Sequence, residues 1–273
     1  MDTLDITQNL YLVNLFANNN NFTELNVENN KKLKYLEVSG NKLIKLDVQQ
    51  NPELIKLDCE SNDLSTLDLT HNAKLKLLNC GKNHLYDIQF AQDASVRNFM
   101  GKNQKANTIV LEDTDTYDLK ELYGKDVEIS NLKGATLDGM ILKDIKRGTD
   151  ITYTISYKNG IKLDVTLRFV LNNAWKTPLT ISDWTYGDTP KEPQGEALYG
   201  DVTFTYSDSE TGTFTTDVPT NAGTWYVKAS VEDDRYVELS AVASFTIHKA
   251  TPIINSPQLF TSYQQTSNDV ALP

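Results

Sequence analysis

The chain has 273 residues, a formal net charge of −11 and two cysteines. That length accommodates two or three domains, each able to bury its own core. The acidic balance, unrelieved by any run of Lys or Arg, excludes a protein built to bind phosphate backbones, and no apolar stretch reaches the roughly 18–20 residues that span a bilayer.

Met1 opens no charged-then-apolar leader, and the repeat described next is already mid-turn at Leu4 and Ile6. We therefore expect a piece of a longer protein, with any leader or anchor outside it. The period is 21 residues: Leu12, Leu33, Leu54, Leu75 and Val96 form one column, and Leu15, Leu36, Leu57, Leu78 and Phe99 the next. Ala17, Val38, Cys59, Cys80 and Gly101 follow, then Asn20, Asn41, Asn62 and Asn83, then Phe22, Leu43, Leu64 and Leu85. A second half of each repeat carries Leu25, Leu46, Leu67 and Ile88, then Val27, Val48, Leu69 and Phe90, then Asn30, Asn51 and Asn72.

One such segment cannot bury its own apolar residues, so the coils stack and share a continuous core. The asparagines belong at the bends, where side-chain amides satisfy backbone groups left unpaired by the curving chain. Cys59 and Cys80 occupy one column of adjacent repeats and read as buried small apolar residues in preference to a disulfide. The pattern decays after Phe99: Gln104 stands where Asn is expected, Gly101 fills an apolar slot, and Ile109 and Leu111 are the last periodic residues. Residues 112–118, EDTDTYD, read as a solvated boundary; their alternate aspartates hint at calcium without the EF-hand pattern.

Residues alternating with the inward leucines face outward. These are Asn14, Tyr35, Lys56, Leu77 and Asn98 in one column and Phe16, Glu37, Asp58, Asn79 and Met100 in its neighbour. Aromatic and aliphatic side chains among charged ones have the composition of a protein-binding patch, so Phe16, Tyr35, Glu37, Lys56, Asp58, Leu77, Asn79 and Met100 are the candidate ligand-binding residues. Packing against flanking repeats, or scattered exposure of no consequence, is the competing explanation. The outward residues of the second half-repeat, such as Glu24, Lys45, Asp47 and Asp68, are polar.

Residues 117–174 read as strands. Asp138-Gly139 sits between apolar runs, and Ile151, Tyr153, Ile155 and Tyr157 alternate before Asn159-Gly160, with Ile161, Leu163, Val165, Leu167, Phe169 and Leu171 after it. Alternation on both sides of Asn-Gly predicts a hairpin. From Trp175 onward, half-buried strands at residues 179–181, 202–206, 225–231 and 245–247, separated by turn-rich segments, suggest a sandwich. Trp184, Tyr186, Trp225, Tyr226 and Tyr236 are read as core and strand-face aromatics in preference to a sugar-stacking platform.

The run LEVSGNKLIKLDVQQNPELIKLDCESNDL resembles the repeats of bacterial surface leucine-rich-repeat proteins of internalin type, over about residues 4–111. WTYGDTPKEP, VPTNAGTWYVKASV and FTIHKATP are similar to a bacterial Ig-like module, over about residues 178–252, and ATPIINSP resembles the opening of another copy. These resemblances imply surface display and ligand binding, without carrying a particular ligand across.

No GxSxG, HExxH, GxxxxGK[ST] or GxGxxG motif is present. His71, His84 and His248 have neither a nucleophile nearby in sequence nor a metal-ligand spacing. The expected fold is mainly β: a leucine-rich-repeat solenoid over 1–114 followed by two β-sandwich or Ig-like modules, at 115–174, where by analogy an inter-repeat region continuing the solenoid's sheet is the alternative, and at 175–250. Residues 251–273 begin a further module or tail. We expect no catalytic residues, metal or cofactor. The expected protein is extracellular, on the cell surface or secreted, and its solenoid face binds a protein of a host or neighbouring cell while the Ig-like modules act as a spacer. A glycan-binding module and the non-catalytic targeting region of a larger surface enzyme are the alternatives.

Overall fold

The computed structural model describes residues 1–112 and 114–251; Asp113 of the acidic boundary, and the expected further module from 252 onward, lie outside the described residues. By contact density the chain divides into two units. One comprises Met1–Trp175, Ala197–Asp201 and Val231–Leu239, and the other Lys176–Glu196, Val202–Ser230 and residues 240–251.

In the first unit the repeats wind a leucine-rich-repeat-like solenoid. Its strands are β1 (Asn14–Phe16), β2 (Tyr35–Glu37), β3 (Lys56–Asp58), β4 (Thr66–Leu69), β5 (Leu77–Asn79), β6 (Asp87–Phe90) and β7 (Asn98–Met100). One parallel sheet runs β1-β2-β3-β5-β7, with Leu15, Leu36, Leu57, Leu78 and Phe99 in register down its inner face. β4 and β6 pair in parallel on the second half-coil, Leu67 against Ile88. Leu33, Leu36, Leu43, Leu54 and Leu57 are fully buried, each contributing about 1.5–3 kcal/mol of burial.

The strands are short because each coil turns left-handed three residues beyond its strand. Asn19, Gly40, Ser61, Lys82 and Asn103 occupy one column and have φ of 54°, 66°, 55°, 53° and 60°. Glycine and asparagine tolerate that region; Lys82 enters it because its coil is held by both neighbours.

Apart from half-buried Asn20, both asparagine columns are buried, and the two differ. Asn62 Nδ2 donates to Val38 O at 3.0 Å and Cys59 O at 3.1 Å, while its Oδ1 accepts the Leu43 amide at 3.0 Å. Asn41 and Asn83 repeat this pattern. In the second column Asn72 Nδ2 donates to Val48 O at 2.9 Å and Asn51 O at 3.0 Å, but Oδ1 of Asn30, Asn51 and Asn72 has no hydrogen-bond partner among the described residues. Gln104 does not break the first column. Its longer side chain accepts from Leu85 N at 2.9 Å and donates to Cys80 O at 2.9 Å and Gly101 O at 3.0 Å, reproducing the asparagine contacts. Gly101 has no Cβ because one would run into the Phe99 ring.

After the last coil come β8 (Asn107–Val110), β9 (Tyr117–Asp118), the one-turn helix α1 (Lys120–Tyr123), β10 (Glu128–Lys133), β11 (Thr136–Asp138), β12 (Ile141–Lys143), β13 (Asp150–Ser156) and β14 (Lys162–Val170). The β8 strand belongs to the last repeat by sequence, yet it pairs in parallel with β14 as the edge of a sheet ordered β10-β13-β14-β8. The solenoid core thus runs without interruption into this module, from Ile6 to Phe169. The β13–β14 hairpin forms as the alternation predicts. Its turn is a three-residue loop: Gly160 N donates to Tyr157 O, Tyr157 N donates to Ile161 O, and Gly160 takes φ 80°. β11 and β12 close with a two-residue turn whose first residue, Gly139, has φ 63°.

The remaining strands are β15 (Trp175–Thr180), β16 (Trp184–Thr185), β17 (Gln194–Ala197), β18 (Thr203–Ser207), β19 (Gly223–Val231) and β20 (Leu239–His248). Four form a sheet ordered β16-β20-β19-β18, and β15 pairs with β17. The second unit has its own small core of Trp184, Tyr206, Val227, Phe245 and Ile247.

The exposed face of the solenoid sheet

Each sheet strand sends its middle residue inward and its two end residues outward, so the eight candidate residues come together on one face. Tyr35, Lys56 and Leu77 stack in register, as do Glu37, Asp58, Asn79 and Met100, with Phe16 beside Glu37 at the first turn. Neighbouring turns are about 4.8 Å apart. Phe16 is 63 % exposed, Tyr35 38 % and Met100 48 %.

The middle of the face is polar and internally paired. Lys56 Nζ lies 2.5 Å from Glu37 Oε1, and Asn18 Nδ2 donates to Glu37 Oε2 at 3.4 Å. The hydrogen bond from Lys56 holds the Glu37 carboxyl below its ordinary range, and its counterpart raises Lys56. Glu60 is lowered likewise by Lys82, at 2.9 Å, and by Asn79, at 3.0 Å. Asp58 Oδ1 accepts the Glu60 amide at 3.2 Å, so this candidate closes its own bend. Of the eight, then, Phe16, Tyr35, Leu77 and Met100 offer unsatisfied contact area, whereas Glu37, Lys56, Asp58 and Asn79 are engaged with neighbours.

Strict alternation points the residue before each strand inward. The chain instead turns two consecutive residues outward, and the column Val13, Lys34, Ile55, Lys76 and Arg97 joins the face. Its backbone is stacked: Lys34 N donates to Val13 O, Ile55 N to Lys34 O, Lys76 N to Ile55 O and Arg97 N to Lys76 O, at 2.8–2.9 Å. The same 21-residue period carries this column in the sequence, one place after the leading leucine.

On the second half-coil, Asp5, Asn26, Asp47 and Asp68 each accept the backbone N–H two residues on, at 2.9–3.0 Å. These side chains close bends. Three of them line an open depression of about 960 Å³, with Thr7, Glu28 and Gln49.

The remaining chemistry-bearing groups are occupied structurally. Cys59 and Cys80 are free and buried, and burial pushes both thiols up, which keeps them protonated and poor nucleophiles. Beside His71, the Thr70 hydroxyl donates to Asp68 Oδ1 at 2.6 Å, so its proton is committed to the carboxylate rather than to the imidazole 3.1 Å away. His84 Nδ1 lies 2.7 Å from Ala106 O, and His248 Nε2 3.4 Å from Asp183 Oδ2. Trp184 is buried and stacked on Phe245 at 4.8 Å, a core position. Trp225 Nε1 donates to Asn221 O, and Tyr236, in the first unit, stacks on Tyr199. Among the described residues no group of three or more His, Cys, Asp or Glu is placed to hold a metal ion, and no helix is long and apolar enough to cross a membrane.

No family model and no curated protein matches the chain. Among solved structures it is similar to the functional domain of InlJ from Listeria monocytogenes, which includes a cysteine ladder, at 20 % identity and a TM-score of 0.26, over 62 % of this chain and 60 % of that one. It is also similar to extracellular domains 3–5 of Drosophila OTK, at 9 % identity and a TM-score of 0.25, over 56 % of this chain and 65 % of that one. A third likeness is to immunoglobulin domains 1–4 of Sidekick-1, at 9 % identity and a TM-score of 0.19, over 53 % of this chain and 49 % of that one. The chain therefore spans less than two thirds of the length of each of these structures.

Proposed function

We propose that the chain is a non-catalytic recognition protein of the bacterial cell surface, or secreted, whose solenoid sheet binds another protein and whose second unit is an Ig-like spacer. The observation that carries this reading is the exposure of Phe16, Tyr35 and Met100 on a sheet locked by parallel hydrogen bonds and buried asparagines. Such a surface is preformed, so binding orders few groups and keeps more of its contact energy. The internally paired Lys56 and Glu37 give the face polarity without costly desolvation of lone charges. Surface location and the Ig-like character of the second unit rest on the sequence resemblances, and both are part of the proposal.

The test is a binding screen of the immobilised chain against purified extracellular domains, repeated with Tyr35→Glu/Met100→Glu. Loss of two exposed anchors is expected to weaken a captured domain at least tenfold, equivalent to about 1.4 kcal/mol. A screen without a binder, or binders indifferent to the double variant, would overturn the reading.

A further inference from the structure

The side of the sheet where each coil enters its strand carries charge opposite to that of the chain. Lys31, Lys32, Lys34, Lys74, Lys76 and Arg97 gather there from the residues leading into successive strands, and Glu53 is the only carboxylate in the same columns. Lys74 is paired with Glu53 at 2.5 Å. The other five have no carboxylate within ion-pair distance among the described residues. Lys32 sits 4.4 Å from the centroid of the Tyr11 ring, and Lys76 Nζ donates to Ser95 Oγ. Across the face, by contrast, Glu37 and Glu60 are already neutralised by Lys56 and Lys82.

In a chain of net charge −11 this strip still acts as a basic surface, because at physiological salt exposed charges beyond about 8 Å are largely screened. Its spacing is that of the stacked turns. Lys34, Ile55, Lys76 and Arg97 follow one another about 4.8 Å apart, so the row spans about 14 Å, the reach of some four to five extended residues. The row is not purely cationic. Val13, 38 % exposed, and half-buried Ile55 alternate with the lysines, and Tyr35 and Leu77 stand in the next column. A sulfated polysaccharide or an anionic headgroup would satisfy the cations and leave those apolar surfaces against charge. A polypeptide with carboxylates and apolar side chains interspersed satisfies both.

Resting on the sheet-face reading above, we infer that the partner presents an acidic segment, laid across the strands, whose carboxylates meet Lys34, Lys76 and Arg97 and whose apolar side chains seat on Val13, Ile55 and Tyr35.

The experiment selects binders to the full chain from a displayed library of random 16-residue peptides, with heparin and phosphatidylserine vesicles as separate probes. Selected peptides are expected to be rich in Asp and Glu with aliphatic or aromatic residues between them. A synthesised winner should lose about 100-fold in affinity against Lys34→Glu/Lys76→Glu/Arg97→Glu and about tenfold against the corresponding Gln variant, which keeps most of each side-chain stem. Raising NaCl from 50 to 300 mM should weaken the wild-type complex and leave the Gln variant nearly unchanged. Circular dichroism melts establish that the variants fold. Neutral or basic winners, no winners, an affinity within twofold in the Gln variant, or heparin or vesicle binding that tracks the strip while peptides do not, would each overturn the inference. Peptides lost on Tyr35→Glu/Met100→Glu but kept by the Gln variant would sink the acidic-segment inference alone. Peptides indifferent to both variants would sink the sheet-face reading with it.

Discussion

Asn62 and Asn72 stand ten residues apart at the two bends of the solenoid, equally buried, and differ in what one oxygen does. Asn62 Oδ1 takes the Leu43 amide, whereas Asn72 Oδ1 takes nothing among the described residues. Asn62→Ala therefore leaves the buried Leu43 N–H unpaired, while Val38 O and Cys59 O keep the amides of Asn41 and Asn83, at a cost of about 1–3 kcal/mol; Asn72→Ala strands no N–H, since Val48 O and Asn51 O still accept Asn51 N and Leu54 N, and costs about 0.5–1.5 kcal/mol. Denaturant melts of the two variants check the ranking, and equal losses would mean that the orphan oxygen has no bearing on the balance. The columns themselves were legible from spacing, but the asymmetry between them was not, because identical residues at identical intervals carry no information about acceptor geometry. Gln104 shows the converse. Its identity signals decay of the repeat, yet one extra methylene lets it reach the same three backbone groups. The left-handed column is hidden for a related reason, since Asn19, Gly40, Ser61, Lys82 and Asn103 share a conformation and no chemistry.

Among the elements, the β13–β14 hairpin reaches the solenoid through Tyr157, just beyond the end of β13. Its hydroxyl accepts the Ile88 amide at 2.9 Å and donates to Asp87 Oδ1 at 3.2 Å, while its ring meets Phe90 edge-on at 5.3 Å. Burial, with the Asp87 charge beside it, pushes this phenol up and keeps it protonated. Tyr157→Phe retains the ring and strands the Ile88 N–H, so a loss of about 1–3 kcal/mol is expected. Amide exchange should quicken at β6 more than at β2, and unchanged protection of Ile88 would refute the assignment. Alternation and Asn-Gly made this hairpin readable. That the module continues the solenoid came from analogy and not from its residues: a 21-residue period is indifferent to partners, so the transfer of β8 to β14 leaves no trace in the leucine columns. Likewise, alternation located Phe16, Tyr35, Leu77 and Met100 but missed Lys34, Lys76 and Arg97, which face outward only because two successive residues do so before each strand.

For the molecule as a whole, a surplus of carboxylates sets the response to acid. Glu37 and Glu60 are lowered chiefly by hydrogen bonds from Lys56 and Lys82, and Asp68 by those from Thr70. A carboxyl lowered on folding adds stability that is fully present above its unfolded value, near 4, and is lost as pH falls through the folded one. The melting temperature is thus expected to hold from pH 7 to about 5 and to fall below about 4. Glu37→Gln/Glu60→Gln should flatten that fall, and an undiminished acid slope in the double variant would place the titrating groups elsewhere. The left-handed bend recurring in every coil has a last consequence. Because each coil ends its strand with the same backbone twist and hands the same contacts to its successor, the number of coils is free to vary while their shape stays fixed. Splicing a second copy of residues 54–74 after the first should lengthen the array by one rung of about 4.8 Å, a change of reach achieved by duplication alone.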